Sequence, residues 1–164
     1  MKRLCLDDLI ARAEISDTVQ KYATGIDFRD WGLLRSIFTD EFQLDLSSWN
    51  GVAAGAVAAD DWVASVRDRM SGFDATEHVS SNHAHVIQGD DATCTSYMIA
   101  LHYLVDQGVR QMHGIGGYYT NRLRRGADGW KIHSCTLTVK WEMGDRGLFK
   151  IARARWAAQV GARP

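Results

Sequence analysis

Proline is almost missing from this chain: there is one in 164 residues, and it is the last, Pro164. No proline-rich spacer or polyproline ligand is therefore written into it. Cysteine is scarce as well. Cys5, Cys94 and Cys135 are odd in number and widely spaced, with no CxxC pair, which argues against a zinc knuckle or a redox dithiol. Neither sign of charge dominates. Nineteen basic residues are mixed with twenty acidic ones, for a net charge of −1, so no nucleic-acid partner is expected. No apolar run approaches the roughly eighteen residues of a membrane span, and no membrane partner is expected either. The opening Met1-Lys2-Arg3-Leu4-Cys5-Leu6 is not a signal peptide by pattern, which makes the cytoplasm the expected location. Gly51-Val52-Ala53-Ala54-Gly55-Ala56 is a small-residue loop without the GxxxxGK[ST] order of a phosphate loop.

What is present is an ordinary globular composition, 46% hydrophobic and 24% charged, at a length that suits one domain over residues 1–164. Leu9, Ile10, Ile15, Val19, Tyr22, Ala23 and Ile26 recur at three- and four-residue spacings. They predict an amphipathic helix from Asp7 to about Asp27, capped by Asp7 or Asp8. A short helix is predicted from Asp30 to Phe38, a strand over 42–46, and a helix from Ala59 to Met70 anchored by Trp62, Val66 and Met70.

The second half changes period. Runs 83–88, 92–105, 110–123 and 130–141 are separated by Gly89-Asp90-Asp91, Asp106-Gln107-Gly108 and Arg125-Gly126-Ala127-Asp128-Gly129. Such spacing predicts an antiparallel meander, followed by a last helix over 148–160. Helices first and long strands after give an α+β fold. A sheet this long is expected to bend strongly around the N-terminal helices and leave a pocket on its concave side. Gly116-Gly117 would permit the bend or a close approach.

Two residues stand out chemically. Asp27 ends the first helical pattern, and His78 opens the stretch His78-Val79-Ser80-Ser81-Asn82-His83. Brought together, they would form a carboxylate-oriented imidazole, the minimum equipment for removing a proton from carbon without a cofactor. Asn82 would share the face of His78 in a regular strand, or cap the loop before it. His83 and His85 would share the opposite face. Without a third ligand they do not make a metal site, and no metal is expected. Tyr97, Ile99, Leu101 and Tyr103 form one face of the long strand, and Met98, Ala100, His102 and Leu104 the other. One of Tyr118 and Tyr119 should point into the pocket. Trp49 and Trp62 are cavity-wall aromatics or plain core. Arg122, Arg124 and Arg125 suit a solvated strand end or a subunit contact.

Three stretches resemble the SnoaL-like branch of the nuclear transport factor 2-like (NTF2-like) superfamily. They are Tyr22-Ala23-Thr24-Gly25-Ile26-Asp27-Phe28-Arg29-Asp30-Trp31 with Leu33, Leu34 and Phe38; His78-Val79-Ser80-Ser81-Asn82; and Gly116-Gly117-Tyr118-Tyr119-Thr120-Asn121 through Arg124-Arg125 to Asp128-Gly129-Trp130-Lys131. The resemblance spans a core of about 8–142, with a C-terminal helical extension beyond it. It implies a cone, with a strongly curved, mixed but mainly antiparallel sheet around N-terminal helices and a pocket inside. Scytalone dehydratase, bile acid 7α-dehydratase and hexachlorocyclohexane dehydrochlorinase belong to this group. Likeness to them implies His78 as the base, Asp27 as its orienter and Tyr22 as the donor to the leaving oxygen or carbonyl. His113 is the approximate match for a second histidine. Cys135 falls where the dehydrochlorinase carries an arginine, which argues against halide elimination.

The resemblance thus implies a cofactor-independent, dehydratase-type lyase for a hydrophobic cyclic hydroxylated substrate. An isomerase or polyketide cyclase using the same dyad, or a noncatalytic binding protein, are the alternatives. It also implies a homo-oligomer, with a trimer favoured over a dimer. A large sheet with so few helices would otherwise expose one apolar face.

Overall fold

The computed structural model describes residues 4–162. Helix α1 runs Leu6–Asp27. Cys5, not Asp7 or Asp8, is its N-cap. Asp8 instead reaches back, its Oδ2 accepting from the Cys5 backbone N–H at 3.0 Å. Ile15, Val19 and Ile26 make the buried stripe. The short α2, Trp31–Ser36, is capped by Asp30, whose side chain accepts from the Leu33 N–H. Strand β1 (Phe38–Asp45), the single-turn α3 (Ser47–Asn50), strand β2 (Gly55–Ala58) and helix α4 (Ala59–Met70) follow. The long strands are β3 (Ala75–Gln88), β4 (Asp91–Asp106), β5 (Val109–Gly126) and β6 (Gly129–Gly144), and α5 (Leu148–Gly161) closes the described chain.

The six strands form one mixed sheet in the order β2-β1-β6-β5-β4-β3. Only the β1–β6 pair is parallel; the other four pairs are antiparallel. The expected α+β content and mixed sheet are present, but the strongly curved cone is corrected. The sheet is open, neither closed nor strongly curled, and β2 and β3 are its two unjoined edges. Helices, not sheet curvature, cover the cavity face. Residues 55–58, which begin inside the loop expected over 51–56, add a short edge strand, because β1 supplies a ladder that the small residues alone would not nucleate.

One face of the sheet meets the helices. On β4 it carries Cys94, Met98, Ala100, His102 and Leu104, all buried. Phe38 and Phe42 stack at 4.3 Å between centroids beneath α1. Gly117 sits at a register shift, where an added Cβ would lie 2.0 Å from the Thr138 carbonyl oxygen. That is close approach, one of the two uses expected for the glycine pair.

The C-terminal helix is seated by Gly72, in the turn after α4. A Cβ there would come within 1.8 Å of the Ala152 carbonyl oxygen in α5, a backbone contact that no rotamer change relieves. Gly72→Ala should therefore lower stability by about 1–3 kcal/mol. Urea denaturation would show it as a lower midpoint at unchanged m-value.

Candidate active site

Helix α1 ends in Asp27, and a carboxylate there meets the negative end of the helix macrodipole, so it needs donors. The fold supplies them. Asp27 Oδ1 accepts from His78 Nδ1 at 2.7 Å and from the Thr76 hydroxyl at 2.9 Å, while Oδ2 accepts from the His78 backbone N–H at 2.7 Å. Arg29, in left-handed conformation at φ 59°, turns back on the helix end. Its Nη1 donates to the Ile26 carbonyl at 2.6 Å and to Thr76 Oγ1 at 2.8 Å. Burial alone would raise the Asp27 pKa. The His78 ring bond and charge, the His78 N–H and Thr76 outweigh it, and the carboxyl lies below its usual value.

An ionised Asp27 keeps the imidazole proton on Nδ1 and leaves Nε2 with its lone pair. His78 lines a cavity of about 40 Å³ between the sheet, α1, α4 and α5. Tyr22 and Tyr119 line it too, with ring centroids 5.3 Å apart and a hydrogen bond between their hydroxyls. Burial, with Cys135 adding to it, pushes Tyr22 up to about 12, and Tyr119 is raised well above its ordinary value. Both phenols are therefore donors at neutral pH.

Trp49 and Trp62 are also in the cavity wall. Trp62 carries the Arg69 guanidinium 4.8 Å above its ring. Arg69 lines the cavity, its Nε is buried without a hydrogen-bond partner, and desolvation lowers its pKa. The sequence reading did not single it out. Its place seven residues, two turns, after Trp62 was the available signal. Leu46, Trp62 and Arg69 also border an outer recess of about 300 Å³, whose other walls include Leu44, Val57 and Asp61.

His102 settles which face of β4 is inside. It is 1% exposed, and its ring lies 5.5 Å from that of His78 and 5.6 Å from that of His113. Burial first, then the two neighbouring histidines, push it down to about 3, so it stays neutral; neither ring nitrogen has a partner. His113 is buried one step further back, with Nε2 2.7 Å from Glu142 Oε1 and its ring against Phe149. A second void of about 20 Å³ lies against Tyr22, His78 and Tyr119. It holds two polar groups the sequence reading did not select, Ser96 Oγ and Asn121 Oδ1, both buried without partners.

Besides His113, behind the cavity wall, three expected pocket residues are elsewhere. Tyr97 is 58% exposed on the outer face of the sheet, because strand alternation gives the inner face to Met98. Tyr118 faces outward with it, under Lys140, since Tyr119 takes the inner position. Asn82 is exposed at φ 54°, where the β3–β4 register shifts between Ser81 and Ala84. That irregularity also corrects the face expected for His83 and His85. One extra residue reverses the alternation, so they turn to the inner side, where both rings reach Ser16 of α1. Cys94, on the neighbouring strand, supplies the third potential ligand that the sequence reading did not find.

A helix-end carboxylate seated on a strand imidazole, inside a cavity between helices and an open mixed sheet, belongs to an α+β protein of the NTF2-like superfamily. Within it the chain belongs to the SnoaL-like domain family, whose model matches residues 7–136. The Kfla4162 protein of Kribbella flavida is similar in structure at TM-score 0.78 and 30% identity, over 88% of this chain and 97% of that one. The LinA-type3 hexachlorocyclohexane dehydrochlorinase of Novosphingobium barchaimii superposes at TM-score 0.69 with 24% identity, covering 87% and 94%. A Novosphingobium aromaticivorans protein assigned as a scytalone dehydratase does so at 0.73 with 16% identity, covering 85% and 90%. These last two likenesses are likenesses of fold. No helix among the described residues is long and apolar enough to cross a membrane.

Glu142 gives a pH test of the wall behind the cavity. Hydrogen bonds from Arg146 and then His113 hold its carboxyl at about 2, against 4.5 ordinarily. A depressed carboxyl stabilises the fold above its unfolded value, and the contribution is lost as pH falls through the folded one. The stability gap between wild type and Glu142→Gln should be full above pH 4.5 and close toward pH 2. Urea unfolding across that range measures it.

Proposed function

We propose that this chain is a cofactor-independent lyase of the dehydratase type, a single catalytic unit over residues 1–164. Its substrate is a hydrophobic cyclic compound bearing a hydroxyl and an acidic C–H beside a carbonyl. The observation that carries the reading is the 2.7 Å His78–Asp27 pair at the wall of an apolar cavity. His78 Nε2 takes the carbon-bound proton, and the electron pair moves toward the carbonyl oxygen. Tyr22, protonated because burial holds it at about 12, donates to that oxygen or to the departing hydroxyl. Return of the pair forms the double bond, and the hydroxyl leaves as water with the proton that His78 removed. Asp27 holds the ring and stabilises the imidazolium between the two steps.

Arg69 narrows the substrate class. A desolvated guanidinium with a free Nε beside two phenols favours an oxygen that gains negative charge. The inner cavity alone, at about 40 Å³, is too small for a ring system. The substrate extends past Leu46, Trp62 and Arg69, the side chains that border both spaces, into the outer recess. Fold likeness to the dehydrochlorinase and to the protein assigned as a dehydratase supports an elimination. Cys135, buried with its thiol pushed up to about 12, offers nothing to a departing halide, which favours loss of water. Three free cysteines suit a reducing compartment, and we place the protein in the cytoplasm.

The test is a screen of hydroxylated cyclic ketones and enones, followed by absorbance for a new conjugated double bond and by mass for loss of water. On a substrate so found, His78→Ala should lower kcat by about 10²–10⁴ with little change in KM, and Asp27→Asn by about a hundredfold. Turnover at unchanged mass would make the enzyme an isomerase or cyclase. Near-wild-type kcat in both folded variants would leave a protein that binds without this chemistry.

The outer sheet face bears on assembly. Val79, Ile99 and Trp141 stand at 42–43% exposure and Tyr97 at 58%, side by side across the ladders. We propose that further copies of the chain cover this face, three in all rather than two. Sedimentation equilibrium should give a multiple of 18.3 kDa, and a Tyr97→Glu/Ile99→Glu variant should shift it to the monomer. A wild-type monomer mass at all concentrations would end the idea.

A further inference from the structure

His83, His85 and Cys94 are absorbed by none of this chemistry. The β3 irregularity turns the two histidines inward, and Cys94 is the register partner of His85 on β4. One nitrogen from each ring and the Cys94 sulfur lie within 4.8 Å of one another. A single hydroxyl, Ser16 Oγ on α1, stands between the rings, 3.0 Å from His83 Nδ1 and 2.9 Å from His85 Nε2. The far nitrogen of His83 is held by Ser80 Oγ at 2.9 Å. Two imidazole nitrogens converging on one point, a thiol beside them and an outer hydroxyl fixing one ring are the parts of a metal centre with its supporting hydrogen bond.

We propose that His83, His85 and Cys94 form a binding site for a thiophilic divalent cation, Zn²⁺ by its donor set, with Ser16 Oγ or a water in the fourth position. In a tetrahedral centre the ligand atoms stand about 3.6 Å apart, so atoms already within 4.8 Å of one another close by at most about an ångström on binding. Both rings are half-buried between β3 and α1, within reach of the Cys94 sulfur. Cys94 is fully buried. On binding, the Cys94 sulfur loses its proton to solvent and bonds the metal through the freed pair; nothing is oxidised or reduced. The cation would pin β3 to β4 beside the irregularity at Asn82, on the same strand as His78. It would be structural, apart from the dyad.

The test uses the full chain stripped by chelator, in a Cys5→Ser background because Cys5 is the exposed thiol. Titration with Co²⁺ should give a near-ultraviolet sulfur-to-cobalt charge-transfer band and the strong visible absorption of a tetrahedral centre. Both should saturate at one equivalent and be displaced by Zn²⁺. Cys94→Ser should abolish the sulfur band, and His83→Ala and His85→Ala should each weaken binding about tenfold or more. Should Cys94→Ser not fold, the two histidine variants read the site alone, through loss of the Tm rise that Zn²⁺ gives the parent. Absence of the band in the parent, its survival in Cys94→Ser, or a Zn²⁺ effect unchanged in both histidine variants would overturn the proposal.

Discussion

Asp27 is held where a helix least favours an anion, and the site depends on how that is made tolerable. The carboxylate terminates α1 and needs donors from outside the helix. It takes them from β3, through the His78 ring, the His78 N–H and Thr76, with Arg29 bracing Thr76 from behind. The same bonds attach an edge strand to the helix that covers it and fix the tautomer of His78. Orientation of the imidazole and attachment of β3 are thus one set of contacts.

Around that knot the inner face is unusually polar for a core. His102 has two unpartnered nitrogens, Ser96 and Asn121 have unpartnered oxygens, and the Trp49 and Trp62 indole N–H groups are unpartnered as well. Buried polar groups without partners are costly, and clustered ones point to occupants such as water or substrate oxygens. The apolar walls, Met98, Ala100, Ile115 and Leu137, strengthen each electrostatic contact made inside them. Arg69, half-buried over Trp62, contributes a cation to a space otherwise lined by neutral groups and the imidazoles of His78 and His102.

Much of this was legible in the chain. Three-and-four spacing gave α1 and α4 nearly to the residue, and turn residues gave β4, β5 and β6 within a few positions. His78 and Asp27 could be singled out by residue type and family pattern. Asn82 could not be read correctly, because a left-handed residue at a register shift leaves no signature in alternation. His83 and His85 were misplaced for the same reason. Tyr97 and Met98, and likewise Tyr118 and Tyr119, are equivalent by period. Only the side on which α1 and α5 pack separates them.

The sequence by itself determined the elements, because propensity, spacing and turn chemistry act over a few residues. It also determined the chemical types available, one helix-end carboxylate and one strand imidazole among them. Tertiary structure alone decided which residues meet. The open strand order, the parallel β1–β6 pairing and the inner face of β4 are set by contacts between segments far apart in the chain. Local sequence carries no term for such contacts. Asp27 and His78 are 51 positions apart, and their 2.7 Å separation exists only once α1 lies across β3.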